Sequence, residues 1–553
     1  MKIKQLFHKL FSFNRNDAEF SLGNQSFERP PLPRDPPGET LHTDLKQNIA
    51  RLEEVFGLPD NMDVVIREFH IPSLGLDALI IYIDGLTDRN TTNLTVLQPL
   101  MLLSPTPEQP VAKPLELILN QLLPGNQAPM TKKFKDVVEG VLDGSSVLLV
   151  DRCNEAIVIE TKGWEHRGIE KPTSEHVVRG PQESFNESFR ANTAGVRRYL
   201  KDPNVITEIF RVGKRSKSLV GMMYIKDIAN PNLVKEVKYR LKSVSETVDY
   251  IPETGMLEEF LEDHPKSLIP QMLSTERPDR LAAYLREGHV GIVMSNSPFS
   301  LVVPTTFTIF LHAAEDYYLR WPFGNFLRLI RSCSIFVALL LPAIYIGVVN
   351  YHQEMIPTDL LLAMTAARET VPFPAFIEII FMEFAFELIR EAGVRIPSVI
   401  GPTIGIVGAL ILGQAAVSAS IVSPILIIII AITALASFVV PNYNASFTIR
   451  MLRFIFVTLA ALLGFFGIAF GVFMLALHLC SLTNFGVPFM TPIAPYRPQS
   501  KDRVTRPFSY DQPYRPVYMR PLDWIRQTKN PRPWDRPNRN DEAENDAEGS
   551  DRQ

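Results

Sequence analysis

The pattern of hydrophobic and polar positions changes character twice along the chain. Up to about Phe323 it is that of an ordinary soluble protein, from there to about residue 482 it is strongly apolar, and the remainder is dense in Pro, Arg and Asp. In the first region Leu41, Leu45, Ile49, Leu52 and Phe56 recur at helical spacing. MDVVIREFHI and LDALIIYIDG read as strands, the second ending in an Asp-Gly turn signal, and SSVLLVD with AIVIETK reads as a hairpin about Arg152. A Gly/Pro-marked stretch at 179–181 leads into a helical pattern near 186–200. SLVGMMYI and HVGIVM are further strands, and 233–241 and 279–287 are helical. Mixed elements of this kind predict an α/β or α+β region in two subdomains, 41–180 and 181–325, and no internal repeat is evident.

The second region, 326–482, predicts a helical membrane domain of four to five spans. Its apolar segments lie near 334–350, 373–390, 400–420, 421–440 and 454–477, and residues 396–449 contain no Asp, Glu, Lys or Arg. A hydrocarbon core needs roughly 20 apolar residues per helix. The glycines at 401, 405, 408 and 413 suit close helix contact. Arg320, Arg328 and Arg331 before the first segment place the N-terminal half in the cytoplasm; Arg390 and Arg395, then Arg450 and Arg453, fit cytoplasmic loops. Five crossings put the Arg-rich tail outside, against the positive-inside tendency, so either one segment is re-entrant or the tail is external. Residues 1–40 read as a flexible lead-in, whose first turns form either a lipid-facing amphipathic helix or a frayed end. The tail, 483–553, reads as disordered or extended.

A net charge of −4 without a basic stripe argues against nucleic acid. Cys153, Cys333 and Cys480 are too scattered for a disulfide framework or a zinc site. Gly213-Lys214-Arg215-Ser216 resembles the end of a phosphate-binding loop, but Glu208 stands where its first glycine belongs. There is no His-Glu-x-x-His and no Gly-x-Ser-x-Gly. The expectation is a protein that is not an enzyme, with no cofactor or metal.

The chemistry concentrates in the apolar segment FPAFIEIIFMEFAFELIRE, which sets Glu378, Glu383 and Glu387 among Phe, Ile, Met and Leu. Carboxylates there are costly and face a bundle interior, a partner or a water-filled path. At 100° per residue Glu383 and Glu387 lie about 40° apart, with Arg390 on the same broad side, and Glu378 about 140° from Glu383. One reading is a stripe facing a cation path; the other is internal pairing, Glu387 with Arg390. Arg179, Glu276 and Arg277, in Pro- or Gly-marked phrases, are candidates for subunit or subdomain contacts, or for a buried structural ion pair.

A series of phrases carries a resemblance. YIDGL (82–86), RGPQESFNES (179–188), GKRSKS (213–218), TERPD (275–279) and EDYY (315–318) occur in the first region. VPFP (371–374), ELIREAGVRIP (387–397), IVGALILGQAAV (406–417) and NFGVPFMTPIAP (484–495) follow in order. From about Leu41 to Pro495 the chain resembles the A subunit of the GerA-type nutrient germinant receptors of endospore-forming bacteria. It departs from that pattern at Ser184, usually glycine, and near Ser295, usually acidic, and the lead-in and tail lie outside it. The resemblance implies a multi-pass subunit of the spore inner membrane, partnered by a transporter-like B subunit and a lipoprotein C subunit. It also implies a homo-oligomer, in contact with membrane lipid, that conducts monovalent cations when nutrient binds. A signal-transducing scaffold and a transporter subunit are the alternatives.

Overall fold

A computed structural model of the chain describes Leu22 and residues 40–102, 113–124, 128–163, 172–395, 413–497 and 502–527. Two five-stranded sheets form the first half. β1 (Val64–Ile71), β2 (Leu76–Ile83), β3 (Met130–Thr131), β4 (Ser146–Val150) and β5 (Ala156–Ile159) are ordered β1-β2-β4-β5-β3. β6 (Val205–Val212), β7 (Ser218–Ile225), β8 (Leu273–Thr275), β9 (Val290–Met294) and β10 (Ser300–Val303) are ordered β6-β7-β9-β10-β8. Every ladder is antiparallel. The two orders are the same, so the topology is duplicated although the sequence carries no visible repeat.

The helices repeat as well. α1 (Leu45–Phe56) precedes β1 and α2 (Phe134–Leu142) lies between β3 and β4. α3 (Phe189–Tyr199) precedes β6; α4 (Pro231–Thr247) and α5 (Thr254–Leu261) follow β7; α6 (Pro278–Arg286) lies between β8 and β9. Asp44 caps α1 by accepting from the Lys46 amide, and Gly57 ends it at φ 66°, where glycine is unstrained. Separate apolar cores cover the two faces of each sheet, so central strands such as β4 and β9 are buried at every residue. Asp63, fully buried, accepts from Arg190 and Arg197 and so ties the first sheet to α3.

The apolar half contains α7 (Trp321–Tyr351), α8 (Thr358–Arg368), α9 (Ala375–Arg395), α10 (Pro424–Phe438) and α11 (Tyr443–Ser481). α7 and α11 are long and apolar enough to cross a membrane. The apolar segment expected at 400–420 lies outside the described residues up to position 412. The segment expected to cross once at 454–477 does not run straight. At Gly464 the backbone takes φ 58°, ψ −140°, and α11 folds back on itself. A Cβ on Gly467 would sit 2.1 Å from the Leu459 carbonyl oxygen, and one on Gly471 2.9 Å from the Phe456 ring. The arms 443–463 and 465–481 therefore form a tight antiparallel hairpin, each roughly 25–30 Å long at 1.5 Å per residue. Both open ends meet the same soluble loop. Thr448 Oγ1 donates to the Leu268 carbonyl, and His478 Nε2 lies 3.0 Å from Ser267 Oγ.

The chain thus leaves the helical half on the side where it entered, and the described tail is packed, not extended. β11 (Thr483–Asn484) and β12 (Val487–Pro488) turn through Phe485 and Gly486, both at positive φ. Phe485 enters the second sheet's core beneath Arg240, 4.1 Å from guanidinium to ring centroid, and Met519 is buried in the same core. Tail residues 502–527 strap that subdomain, with the Leu522 amide on the Ile228 carbonyl and Asn230 donating to the Arg520 carbonyl. Apolar anchors at Phe485, Phe489 and Met519 supply the burial that a Pro- and Arg-rich composition hides.

Gly464→Ala forces an L side chain into this conformation and is expected to cost about 1–3 kcal/mol. Gly467→Leu cannot be accommodated and should abolish accumulation of folded protein. Thermal melting of the purified variants checks the first, and membrane-fraction immunoblotting the second.

Candidate functional site

Beside the Asp63 group of the first subdomain, two connected groups of charged side chains stand out among the described residues, one where the soluble and helical halves meet and one inside the helix bundle. The first begins with the phrases at 173–188 and 275–279. Glu276 is buried and accepts from the backbone amides and hydroxyls of both Thr173 and Ser174, at 2.7–3.2 Å. Arg277, fully buried, donates to the carbonyls of Glu175 and Pro181 and to Asp279 Oδ2. Arg179 is exposed, but its neighbour Gly180 lies against the Tyr318 ring, where a Cβ would clash at 2.4 Å. Glu276 and Arg277 therefore knit the segment linking the two subdomains onto the second sheet, and Arg179 stands outside that network.

Tyr318 donates to Asp279, which carries the group to the turn 315–318. There Asp316, fully buried, accepts from Arg328 Nε (2.9 Å) and Arg331 Nη1 (2.5 Å) at the base of α7. Asp502 of the tail accepts from Arg328 and from the Tyr317 hydroxyl. Burial alone would raise the Asp502 carboxyl, but His312 and Arg328 hold it below the usual carboxylate range. Trp321 and Asn325 of α7 both donate to the Arg506 carbonyl, and Trp321 stacks on Phe508 at 4.4 Å. The sequence offers Arg328 and Arg331 only as basic residues that orient the first apolar segment; they are buried clamps between the halves.

The second group is a ladder along α9. Glu378 accepts from the Ser423 amide (3.0 Å) at the start of α10 and lies 3.5 Å from Arg368 of α8. Glu383, 2% exposed, accepts from Arg453 Nη1 at 2.6 Å. Glu387 accepts from Arg450 Nη1 (2.7 Å) and Arg390 Nη1 (3.2 Å), and Arg390 also reaches Ser437 Oγ at 3.2 Å. Arg453 Nε donates to the Ala338 carbonyl of α7 at 2.8 Å. That carbonyl is the one Pro342, four residues on, cannot bond, so the arginine fills a vacancy in the α7 ladder. The 140° offset explains why Glu378 meets α8 and α10 while Glu383 meets α11. Glu383 Oε1 and Arg453 Nη2 are buried without hydrogen-bond partners. The outward face of α9 is apolar, with Ile377, Phe381, Phe384 and Leu388 exposed.

Sequence reasoning missed Arg450 and Arg453 as partners and assigned them to a loop. Their signal was the spacing: arginines three apart facing acids four apart on an antiparallel helix. Among the described residues no cluster of His, Cys, Asp and Glu is arranged to hold a metal ion.

The family described as Bacillus/Clostridium GerA spore germination protein matches residues 50–518. The chain belongs to the GerA family. It is 38% identical to spore germination protein KA of Bacillus subtilis over 92% of this chain and 91% of that one. It is also 38% identical to spore germination protein GerLA of Bacillus cereus, over 87% and 97%. The crystal structure of the N-terminal domain of the A subunit of the Bacillus megaterium spore germinant receptor GerK3 is 30% identical. It covers 48% of this chain and 97% of that domain, with a TM-score of 0.37. The two relatives KA and GerLA are spore germination proteins and support a role in germination; two helices long and apolar enough to cross a bilayer point to membrane association. The GerA match runs to residue 518, so most of the packed tail belongs to the shared pattern, contrary to the expectation from the quoted phrases.

Breaking a buried pair costs more than replacing it. Arg453→Leu leaves Glu383 unpaired and should destabilise the helical half by about 3–5 kcal/mol, whereas Glu383→Leu with Arg453→Leu should recover most of the loss; melting of the three proteins in one detergent checks this. In the second subdomain, burial pushes the His289 imidazole down to about 4. Between that value and the unfolded value near 6.5 the unfolded chain binds the extra proton. Stability should therefore fall as pH drops through this window, and His289→Gln should flatten the slope in denaturant titrations.

Proposed function

We propose that this GerA protein is the membrane subunit of a nutrient germinant receptor, with its sheet domains in the cytoplasm and its helices in the spore inner membrane. In this reading several copies assemble with a transporter-like B subunit and a lipoprotein C subunit, and the assembly conducts monovalent cations once nutrient binds. The observation that carries the reading is the ladder of three carboxylates on α9, Glu378 and Glu383 buried in an apolar bundle and Glu387 half-buried, each met by an arginine or a backbone amide. Such groups are retained in membrane helices where ions or protons must be handled. Glu383 is the leading ion-facing group, followed by Glu387, with Glu378 and Arg390 at the ladder's ends. Glu383 Oε1 and Arg453 Nη2 leave the middle rung incomplete, with room in its bonding for water or a cation. The arginines act as a latch, and opening exchanges an arginine for a cation on the carboxylate.

The arginine pairing favours a second reading, in which the bundle is an anchor and the protein a scaffold that transmits the signal. Glu383→Gln separates the two, because it removes the charge and keeps the shape. Potassium release from spores carrying Glu383→Gln, across a panel of nutrients and at matched protein level by immunoblot, should fail or change rate. Release indistinguishable from wild type at normal abundance would sink the conduction role for this residue and favour the scaffold.

A further inference from the structure

We propose that a cavity between α6 and the tail binds a small organic anion with an aromatic body. The cavity has a volume of about 390 Å³, and small-molecule sites run from about 300 to 1,000 Å³. Its walls are aromatic on three sides: Tyr284 of α6, Tyr317 and Tyr318 of the 315–318 turn, and Tyr514 and Tyr518 of the tail. Rings so arranged offer broad apolar area with polar edges, suited to a planar guest.

The charge balance selects the sign. Each acid lining the cavity already has an arginine: Asp279 has Arg277 at 2.9 Å, Glu287 has Arg526, and Asp502 has Arg328. Arg280 is held by Glu175 and the His312 carbonyl. The guanidinium of Arg286, at the C-terminal end of α6, has no hydrogen bond or ion pair among the described residues. Gln512 is 6% exposed, and its Nε2 is a buried donor without an acceptor, because its Oε1 is the atom that meets Arg526. A cation and an amide donor both lacking acceptors call for a carboxylate. On the acceptor side Asp279 Oδ1 is buried and without a partner, which a ring hydroxyl would satisfy.

The position gives binding a consequence. Asp502 lines the cavity and grips Arg328 at the base of α7, and Tyr317, also in the lining, donates to Asp502. A guest seated there fastens the tail to the second subdomain and stiffens the joint between the soluble and helical halves. This role stands apart from the ladder and from conduction.

The test uses the full chain in nanodiscs with phenylacetate, 4-hydroxyphenylacetate and indole-3-acetate as probes, each beside its primary amide and the matching arylethylamine. Titration calorimetry should show binding of the carboxylates only, with slower proteolytic release of the tail when they are present. Arg286 is exposed, so Arg286→Ala should fold normally and weaken carboxylate binding at least tenfold; Ala283→Trp, which fills the cavity from α6, should abolish it. The proposal is overturned if no carboxylate binds the wild type. It is equally overturned if amides or amines bind as well as carboxylates, or if both variants, with unliganded melting temperatures like wild type, keep wild-type affinity.

Discussion

One guanidinium, that of Arg453, joins three helices of the apolar half. Its Nε closes the gap that Pro342 opens in α7, its Nη1 neutralises Glu383 of α9, and its own backbone belongs to the first arm of α11. Each partner is costly alone: an unbonded carbonyl, a bare carboxylate and a bare arginine in an apolar interior. Together they remove most of one another's penalty, and the fork of an arginine is the only side chain that can reach both acceptors in fixed geometry. Lysine offers charge without the fork. The proline, the acid and the arginine are therefore one feature distributed over more than a hundred residues of sequence.

The same device holds the halves together. Asp316 between Arg328 and Arg331, with Asp502 closing from the tail, makes the base of α7 a continuation of the second subdomain. The Gly464 turn makes this closure possible, because it brings the chain back to where the soluble half stands. Phe485 and Met519 then bury the returning segment in the core of the second sheet. Motion of that subdomain thus has rigid routes to both ends of the helical half, through α7 and through the second arm of α11.

Much of this was legible and some was not, for reasons that can be named. The amphipathic pattern of α1, the hairpin β4–β5 and the helices α3, α4 and α6 lie where periodicity put them. β8 and β10 have three and four residues, too few for any period to register. The duplicated topology leaves no mark in sequence because it is fixed by which strands pair, not by residue identity. The acids of α9 were visible as burial problems, but their partners were not. Positive-inside reasoning takes basic residues as loop markers, and Arg450 and Arg453 violate it by being buried. Hydropathy reads 454–477 as one crossing because the run is apolar throughout, and only the fold-back contacts at Gly464, Gly467 and Gly471 show the hairpin.

On the proposed function, the ladder sets the energetic terms of opening. Breaking the one fully buried pair, Glu383 with Arg453, costs about 3–5 kcal/mol, so that rung alone makes spontaneous opening rare without any separate plug. Opening therefore draws its free energy from outside the bundle. The exposed face of α9 is apolar from Ile377 to Leu388, and beyond it Glu391 and Arg395 pair with each other. Contact through Phe381, Phe384 and Leu388 with lipid or another copy leaves the acids where they are. Rotation of α9 about its own axis, by contrast, moves every rung together, because all three acids ride on one rigid helix. A stepwise change in ion handling then follows from the stiffness of the element that carries the charges.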